Sequence, residues 1–411
     1  MRLLYIIIAC ITGILAVWLL WVTAKPRPNG LRKIAVDKQA WMLSGTPQKG
    51  NSLTTFTSFA PMYDAMLADI KGAERYVHVQ FFKFEPDAVG QRLGAAMASR
   101  VAAGVEARLL YDDLVCHPWR WYYRALERQG VSVAGFGQVH LPFITRRGYY
   151  RNHRKSVIID GRVAYVGGMN IADRYYQGLG WGCWRDTMLR IEGPAAAAVQ
   201  LSFAADWQYA CGQRLLAEDY AVPAPAAGTK PVRILTSGPL GHGPEIMHYT
   251  AALIDQAEHY AYLETPYFIP PEEISNALCS AARRGVDVRM LVPPRGDQGE
   301  TTQRASQHNF ARMMDAGMRI GVYGKGFLHS KIIVCDDKVG VVGSCNIDPR
   351  SYLLCEEIAA VVEDEGYAKE LKEIFVADEQ VSTYIAPDEW RRRSFAKRCG
   401  EALANTISSQ L

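Results

Sequence analysis

The 411 residues are 49% hydrophobic and 21% charged, enough to bury one large core or two, and nothing in the composition suggests disorder. A net charge of +4 and a pI near 8.5 are too mild to mark a nucleic-acid binder, and they fit an enzyme that meets anionic surfaces as well as an ordinary one. Nine cysteines, an odd count without CxxC pairs or compact His/Cys clusters, argue against a zinc site and a disulfide framework, and most have the apolar flanks of small core residues.

From the N-terminus, Leu3 to Val22 is an uncharged run of 20 residues, long enough to cross a bilayer core as one helix, with Trp18 and Trp21 placed for an interface. A cleaved signal peptide competes, since Arg2 could be its charged start and Ala24 a small residue near the cut, but the apolar run exceeds the usual length of such a segment. The expectation is an uncleaved transmembrane anchor over residues 1–26. Lys25, Arg27, Arg32, Lys33 and Lys38 follow the span against one arginine before it, which puts the bulk of the chain in the cytoplasm. Free cysteines agree with that side.

Beyond a linker at 27–50, the chain repeats itself. Tyr76 to Phe84 and Tyr260 to Pro270 are apolar, β-rich runs that read as buried strands. Each precedes a helical stretch, Ala88 to Ala103 and Glu272 to Arg284, closed by a glycine that opens a further strand, Gly104-Val-Glu-Ala-Arg-Leu-Leu and Gly285-Val-Asp-Val-Arg-Met-Leu. Asn152-His-Arg-Lys-Ser-Val-Ile-Ile-Asp160 then leads to Gly167-Gly-Met-Asn170, and Leu328-His-Ser-Lys-Ile-Ile-Val-Cys-Asp336 to Gly343-Ser-Cys-Asn346. Positions 76 and 260, 104 and 285, and 153 and 329 stand 184, 181 and 176 residues apart, a nearly constant offset. The chain is therefore two copies of one β/α unit, residues 51–221 and 232–411, joined by the Pro/Ala/Gly-rich stretch 222–231. Alternating strands and helices predict α/β lobes with mixed, largely parallel sheets.

Both copies fit H-x-K-x4-D-x6-G-[GS]-x-N, through His153, Lys155, Asp160, Gly167 and Asn170, and through His329, Lys331, Asp336, Gly343 and Asn346. One H-x-K would be noise, whereas two full copies at the same place in a repeat are not accidental. Period 2 along a strand puts each histidine and its lysine on one face, pointing into a shared cleft. Two imidazoles, two lysines and two asparagine amides suit a phosphodiester, whose transition state spreads negative charge over non-bridging oxygens. One histidine can attack phosphorus, and the other can protonate the departing alkoxide and deprotonate the incoming alcohol. Such a site needs neither metal nor other cofactor, and the sequence offers no carboxylate cluster of the two-metal kind.

These residues resemble the phospholipase D superfamily, with one departure: Gly168 stands where serine is usual, as Ser344 does. Leu109 to Asp113, Trp184 to Gly193, Thr265 to Pro270, Gly326 to Lys331 and Asn346 to Ser351 narrow the resemblance to bacterial cardiolipin synthases, many of which carry two N-terminal spans where this chain has one. The resemblance implies two α/β lobes forming one shared active site and a phosphohistidine intermediate, with His153 as nucleophile and His329 as general acid and base. It implies transfer of a phosphatidyl group between two phosphatidylglycerol molecules, giving cardiolipin and glycerol, at the bacterial inner membrane. The partners expected are phosphatidylglycerol, other anionic phospholipids and the membrane, without nucleic acid. A hydrolase of the same chemistry, phospholipase or nuclease, is the first rival, and a non-catalytic lipid-binding relative the second.

Bland readings stand beside these. Asp160 and Asp336 enter the catalytic set by motif, yet an aspartate in the turn after a strand commonly caps backbone. Ser344, Gly167 and Gly343 join the asparagines as phosphate-binding candidates through their tight turns. Asp186 and Glu357 are candidates to orient the histidines, with Glu356 an equally placed competitor. Arg146, Arg147, Arg151 and Arg154 crowd the approach to His153 and read equally as a lipid-phosphate attractor or a solvated basic loop. His78, His117, His140, His242, His248, His259 and His308 have no repeated partner and read as ordinary polar residues. Trp390 to Arg398 has a narrow apolar stripe and reads as a surface helix.

Overall fold

The computed structural model describes residues 45–139, 149–241, 243–297 and 299–406, together with Gly13. The expected anchor, Gly13 excepted, and Arg146, Arg147, His140 and His242 lie outside the described residues. Among the described residues no helix is long and apolar enough to cross a membrane.

The repeat is built in three dimensions as the sequence lays it out. Tyr76–Phe81 and Tyr260–Glu264 are strands buried along their whole length, because helices cover both faces. Helices Ala88–Ala102 and Glu272–Arg283 follow, and Gly104 and Gly285, at φ of 85° and 93°, turn the chain out of each. The next strands, Glu106–Asp112 and Asp287–Val292, return parallel to the first ones, and Ser132–Phe136 and Arg319–Tyr323 extend the parallel set. The motif hairpins are Ser156–Ile159 with Val163–Gly167, and Ile332–Cys335 with Val339–Gly343.

Among the described residues these strands belong to a 16-stranded mixed sheet in which the halves meet edge to edge, Gln48–Phe56 pairing antiparallel with Lys230–Ser237. Both joining strands start inside stretches read as linker from sequence, 27–50 and 222–231. The expectation of largely parallel pairing is corrected: within each half only three β/α strands run parallel, the pairings around the motifs are antiparallel, and the second half ends in an antiparallel edge strand, Ser382–Tyr384. A hairpin closed by a short turn can return only antiparallel, whereas a parallel neighbour needs a crossover.

The halves share a core. Ile158, Val166 and Leu189 of the first pack in one cluster with Ile234, Val342 and Ile358 of the second, beneath Phe203 and Trp207 of helix Ala196–Cys211 and Leu371 and Phe375 of helix Glu365–Glu379. Strand Val163–Gly167 touches Val339–Gly343 and Cys355–Val362 directly. Burying an aliphatic side chain is worth roughly 1.5–3 kcal/mol, so prising the halves apart would expose roughly 10 kcal/mol or more of apolar contact.

At the hairpin turns, Asp160 and Asp336 adopt positive φ of 53° and 56°. The Asp160 carboxylate accepts from the N–H groups of Glu74, Arg75 and Tyr76, each at 2.8 Å. Asp336 accepts from Glu258, His259 and Tyr260 at 2.8, 2.9 and 2.8 Å. Burial pushes the Asp336 carboxyl upward, but its three N–H donors hold it below the ordinary value. Replacing either aspartate by alanine should lower stability by about 2–3 kcal/mol in denaturant titration, since three donors lose their acceptor. A carboxyl held low in the folded chain stabilises it above the unfolded pKa and ceases to do so as pH falls through the folded value. The gap between wild type and Asp336→Asn should therefore shrink below about pH 4.

Candidate active site

Two short strand pairings across the halves create the site. Arg151–Asn152 runs parallel to Cys355–Glu356, and Gly326–Leu328 runs parallel to Cys183–Arg185. Each pairing continues one residue further, for His153 N–H donates to the Glu356 carbonyl at 2.9 Å and His329 N–H to the Arg185 carbonyl at 2.7 Å. The residue after each carbonyl is a carboxylate. His153 Nδ1 lies 2.7 Å from Glu357 Oε1, and His329 Nδ1 lies 2.6 Å from Asp186 Oδ2. Each imidazole is thus held by the half that does not contain it. Glu356, indistinguishable from Glu357 by position alone, instead takes Arg154 at 2.9 Å and the Leu240 N–H at 3.0 Å.

Burial tends to raise both carboxyls, but the imidazole and lysine beside each outweigh it and hold Asp186 and Glu357 below their ordinary values. An ionised carboxylate only accepts, so Nδ1 of each histidine carries the proton and Nε2 presents its lone pair. Burial lowers His153 to about 4, and it lowers His329 as well. The lysines are brought down by burial too, Lys155 to about 7 and Lys331 to about 8, and each feels both carboxylates, so the four charges share one electrostatic site. Lys155 Nζ donates to the carbonyl of His153 at 2.6 Å, and Lys331 Nζ likewise to that of His329. Phe82 meets His153 edge-on at 4.8 Å, while Trp184, Phe327 and Tyr175 surround His329 at 5.2, 5.7 and 6.2 Å.

The remaining predicted residues divide. Asn346 lines a cavity of about 370 Å³ with His153, Tyr267, Ile269, Thr302 and Arg350. Asn170 is committed to its own half, accepting from Lys83 N–H at 3.1 Å and donating to the Tyr175 hydroxyl at 2.7 Å. A Cβ on Gly167 would lie 2.4 Å from the Thr187 carbonyl and one on Gly343 2.8 Å from that of Ile358, so these glycines let the motif strands close on the carboxylate strands. Ser344 donates its hydroxyl to Glu357 Oε2. At Gly168 a Cβ would lie 2.1 Å from Asp186 Oδ1, so the shorter aspartate occupies the volume that a serine would need. The structure does not bring Asp160 and Asp336 to the imidazoles, because they stand at the far ends of the motif strands as backbone caps.

The basic approach to His153 is corrected where it is described. Arg151 is buried on Asp112 at 3.0 Å and the Gly137 carbonyl at 2.9 Å, and Arg154 on Asp206 at 2.6 Å and Glu356 at 2.9 Å. A second buried cluster answers the Arg154 one across the halves, with Arg185 2.7 Å from Asp378 and 3.8 Å from Glu264. Sequence reading missed both clusters. Their arginines adjoin the motif histidine in one half and the orienting carboxylate in the other, but Asp206 and Asp378 sit far along in helices and carry no local signal.

Comparison with known proteins gives the same frame. The family profile described as "Cardiolipin synthase, PLD-like domain" matches residues 66–207 and 250–379, taking in both motif copies. Cardiolipin synthase 2 of Staphylococcus epidermidis is 34% identical over 362 residues, covering 87% of this chain and 74% of its own. Cardiolipin synthase of Geobacillus kaustophilus is 35% identical over 355 residues, 85% of this chain and 70% of its own. Among solved structures, phosphatidylserine synthase from Haemophilus influenzae superposes with a TM-score of 0.67 at 15% identity, over 91% of this chain and 99% of that one. Polyphosphate kinase from Porphyromonas gingivalis gives 0.55 at 13%, over 82% and 49%, and both show that the fold is shared. With the profile matched in both halves and a third of its residues shared along most of its length with those relatives, the chain belongs to the cardiolipin synthase family of phospholipase D-like proteins.

Proposed function

We propose that the chain is a cardiolipin synthase that moves a phosphatidyl group from one phosphatidylglycerol to the hydroxyl of another, releasing glycerol. The observation that carries this reading is the crossed pairing of a partly buried His153 and a buried His329 with two ionised carboxylates beside two lysines, in a member of that family. His153, kept neutral with its Nδ1 proton on Glu357, attacks phosphorus through Nε2. His329 enters the cycle as an imidazolium, favoured by the Asp186 carboxylate and by the charge of the bound diester, and passes its Nε2 proton to the departing glycerol oxygen. It takes a proton back from the incoming hydroxyl, which attacks phosphorus and frees His153. Lys155 and Lys331, with Asn346 at the cavity wall, counter the charge on the non-bridging oxygens. The uncharged run Leu3–Val22 and the basic residues after it support a single-pass anchor in the bacterial inner membrane with the catalytic part in the cytoplasm.

Lipid analysis of reactions with labelled phosphatidylglycerol tests the reading directly: cardiolipin and glycerol are expected, and phosphatidic acid as the only product would replace it with hydrolysis. His153→Ala and His329→Ala should each lower kcat at least about 1000-fold, since the two imidazoles act in succession and neither substitutes for the other. With a nitrophenyl phosphodiester, whose leaving group needs little protonation, His329→Ala should still accumulate a phosphoenzyme under acid quench and His153→Ala none; an adduct on His329 would reverse the two roles.

Two further outcomes follow from the charges. The alkaline limb of kcat/KM should fall near pH 7–8, where Lys155 and Lys331 lose their protons in the free enzyme, rather than near 10. Because the positive charge at phosphorus comes from lysines, EDTA should leave the rate unchanged, and a loss restored by a divalent ion would count against this mechanism.

A further inference from the structure

The halves correspond down to single bridges: Phe84 pairs with Ile171 as Phe268 pairs with Ile347. Glu85 N–H donates to the Ile171 carbonyl at 2.9 Å, and Ile269 N–H to the Ile347 carbonyl at 2.8 Å, so Glu85 and Ile269 occupy equivalent places. Three residues beyond those isoleucines stand Arg174 and Arg350. At this point the symmetry breaks. Glu85 pairs with Arg174 and lies 3.1 Å from Lys83, so the first-half arginine is neutralised. In the second half an isoleucine replaces that carboxylate, and among the described residues no carboxylate pairs with Arg350, which lies over the Tyr149 ring at 5.7 Å. Asp348 lines the same cavity and its carboxyl feels the charge of Arg350, but it makes no ion pair with it: Asp348 accepts from the Ser351 N–H at 2.7 Å and its hydroxyl at 3.3 Å. Arg350 is half-buried and lines the same cavity as His153, Tyr267 and Ile269.

A guanidinium in the wall of a reaction cleft with no carboxylate in ion-pair contact keeps its N–H donors open to an anion. The reaction proposed above, on which this inference rests, brings two phosphodiesters together, and only one of them reacts. The lysines serve the reacting phosphorus. The acceptor lipid carries a second negative charge that must come within a glycerol's length of the first, where the two repel unless a cation stands beside the newcomer.

We propose that Arg350 binds the phosphate of the acceptor lipid. In the second step the acceptor's hydroxyl oxygen bonds to phosphorus, its proton passes to His329 Nε2, and the P–N bond to His153 breaks with its electron pair returning to nitrogen. Arg350 holds the acceptor's own diester, which keeps all its bonds, so that this hydroxyl rather than water lies in line. Water and uncharged alcohols gain nothing from the arginine, and Arg350 therefore sets the choice of acceptor.

The test uses the full chain in mixed micelles with a radiolabelled nitrophenyl ester of phosphatidic acid as donor, and phosphatidylglycerol and glycerol as competing acceptors. Arg350→Gln should lower the ratio of labelled cardiolipin to labelled phosphatidylglycerol by about 10- to 100-fold, the loss of one charge-assisted contact. Ile269→Glu, which offers Arg350 the partner that Glu85 gives Arg174, should lower the same ratio while the arginine remains. An unchanged ratio in Arg350→Gln, or an equal fall in both products, would overturn the assignment. Wild-type enzyme that makes phosphatidic acid from this donor and neither transfer product would overturn the transferase reading itself, an outcome distinguishable from the other two.

Discussion

The arrangement hangs on one constraint: the hydrogen bond that aims each imidazole comes from the opposite half. His153 without Glu357, or His329 without Asp186, would be a ring free to turn and to choose its tautomer. The short parallel pairings that set these contacts contribute little energy of their own. They hold because the apolar cluster joining Ile158 and Val166 to Val342 and Ile358 makes separation of the halves expensive. Fold stability and site geometry are in this sense one property, since the core that docks the halves also fixes the register of the two histidines.

The same burial tunes the site's charge. Taken out of water, Lys155 and Lys331 sit near neutrality instead of three or so units above it. In the mechanism proposed above, the charge of an entering diester favours the protonated forms of both lysines and of the histidine that acts as acid. Burial pushes Glu356 and Glu264 upward as well, to about 7 and about 8, against the pull of Arg154 and Arg185.

Much of this was legible from sequence where the signal repeats. The strands at Tyr76 and Tyr260, the helices at Ala88 and Glu272 and the motif hairpins fall where apolar runs and glycines put them. His153, Lys155, His329 and Lys331 stood out because duplication raised a weak pattern above chance. Sheet polarity was misjudged because alternation of strands and helices describes only the outer part of each half. The choice of Glu357 over Glu356, and the crossing of both orienting carboxylates, depend on a register between distant segments that no local period encodes. Asp160 and Asp336 entered the candidate set through spacing alone, although seven residues of nearly extended chain put them up to about 20 Å from their histidines. Arg151 and Arg154 looked like a basic approach because sequence does not show the acids waiting for them at Asp112 and Asp206.

The buried arginines have a consequence for how such a duplicated chain keeps its halves in order. Arg154 occupies the position after its histidine and faces Glu356, the position before the orienting carboxylate, whose counterpart in the first half is Arg185. Two copies of the first half docked on one another would bury guanidinium against guanidinium, and two copies of the second would set Ser330 beside Glu356 and leave that acid without its arginine. Only unlike halves satisfy both clusters. The difference at four residues, Arg154 against Ser330 and Arg185 against Glu356, thus makes the two faces complementary to each other and not to themselves.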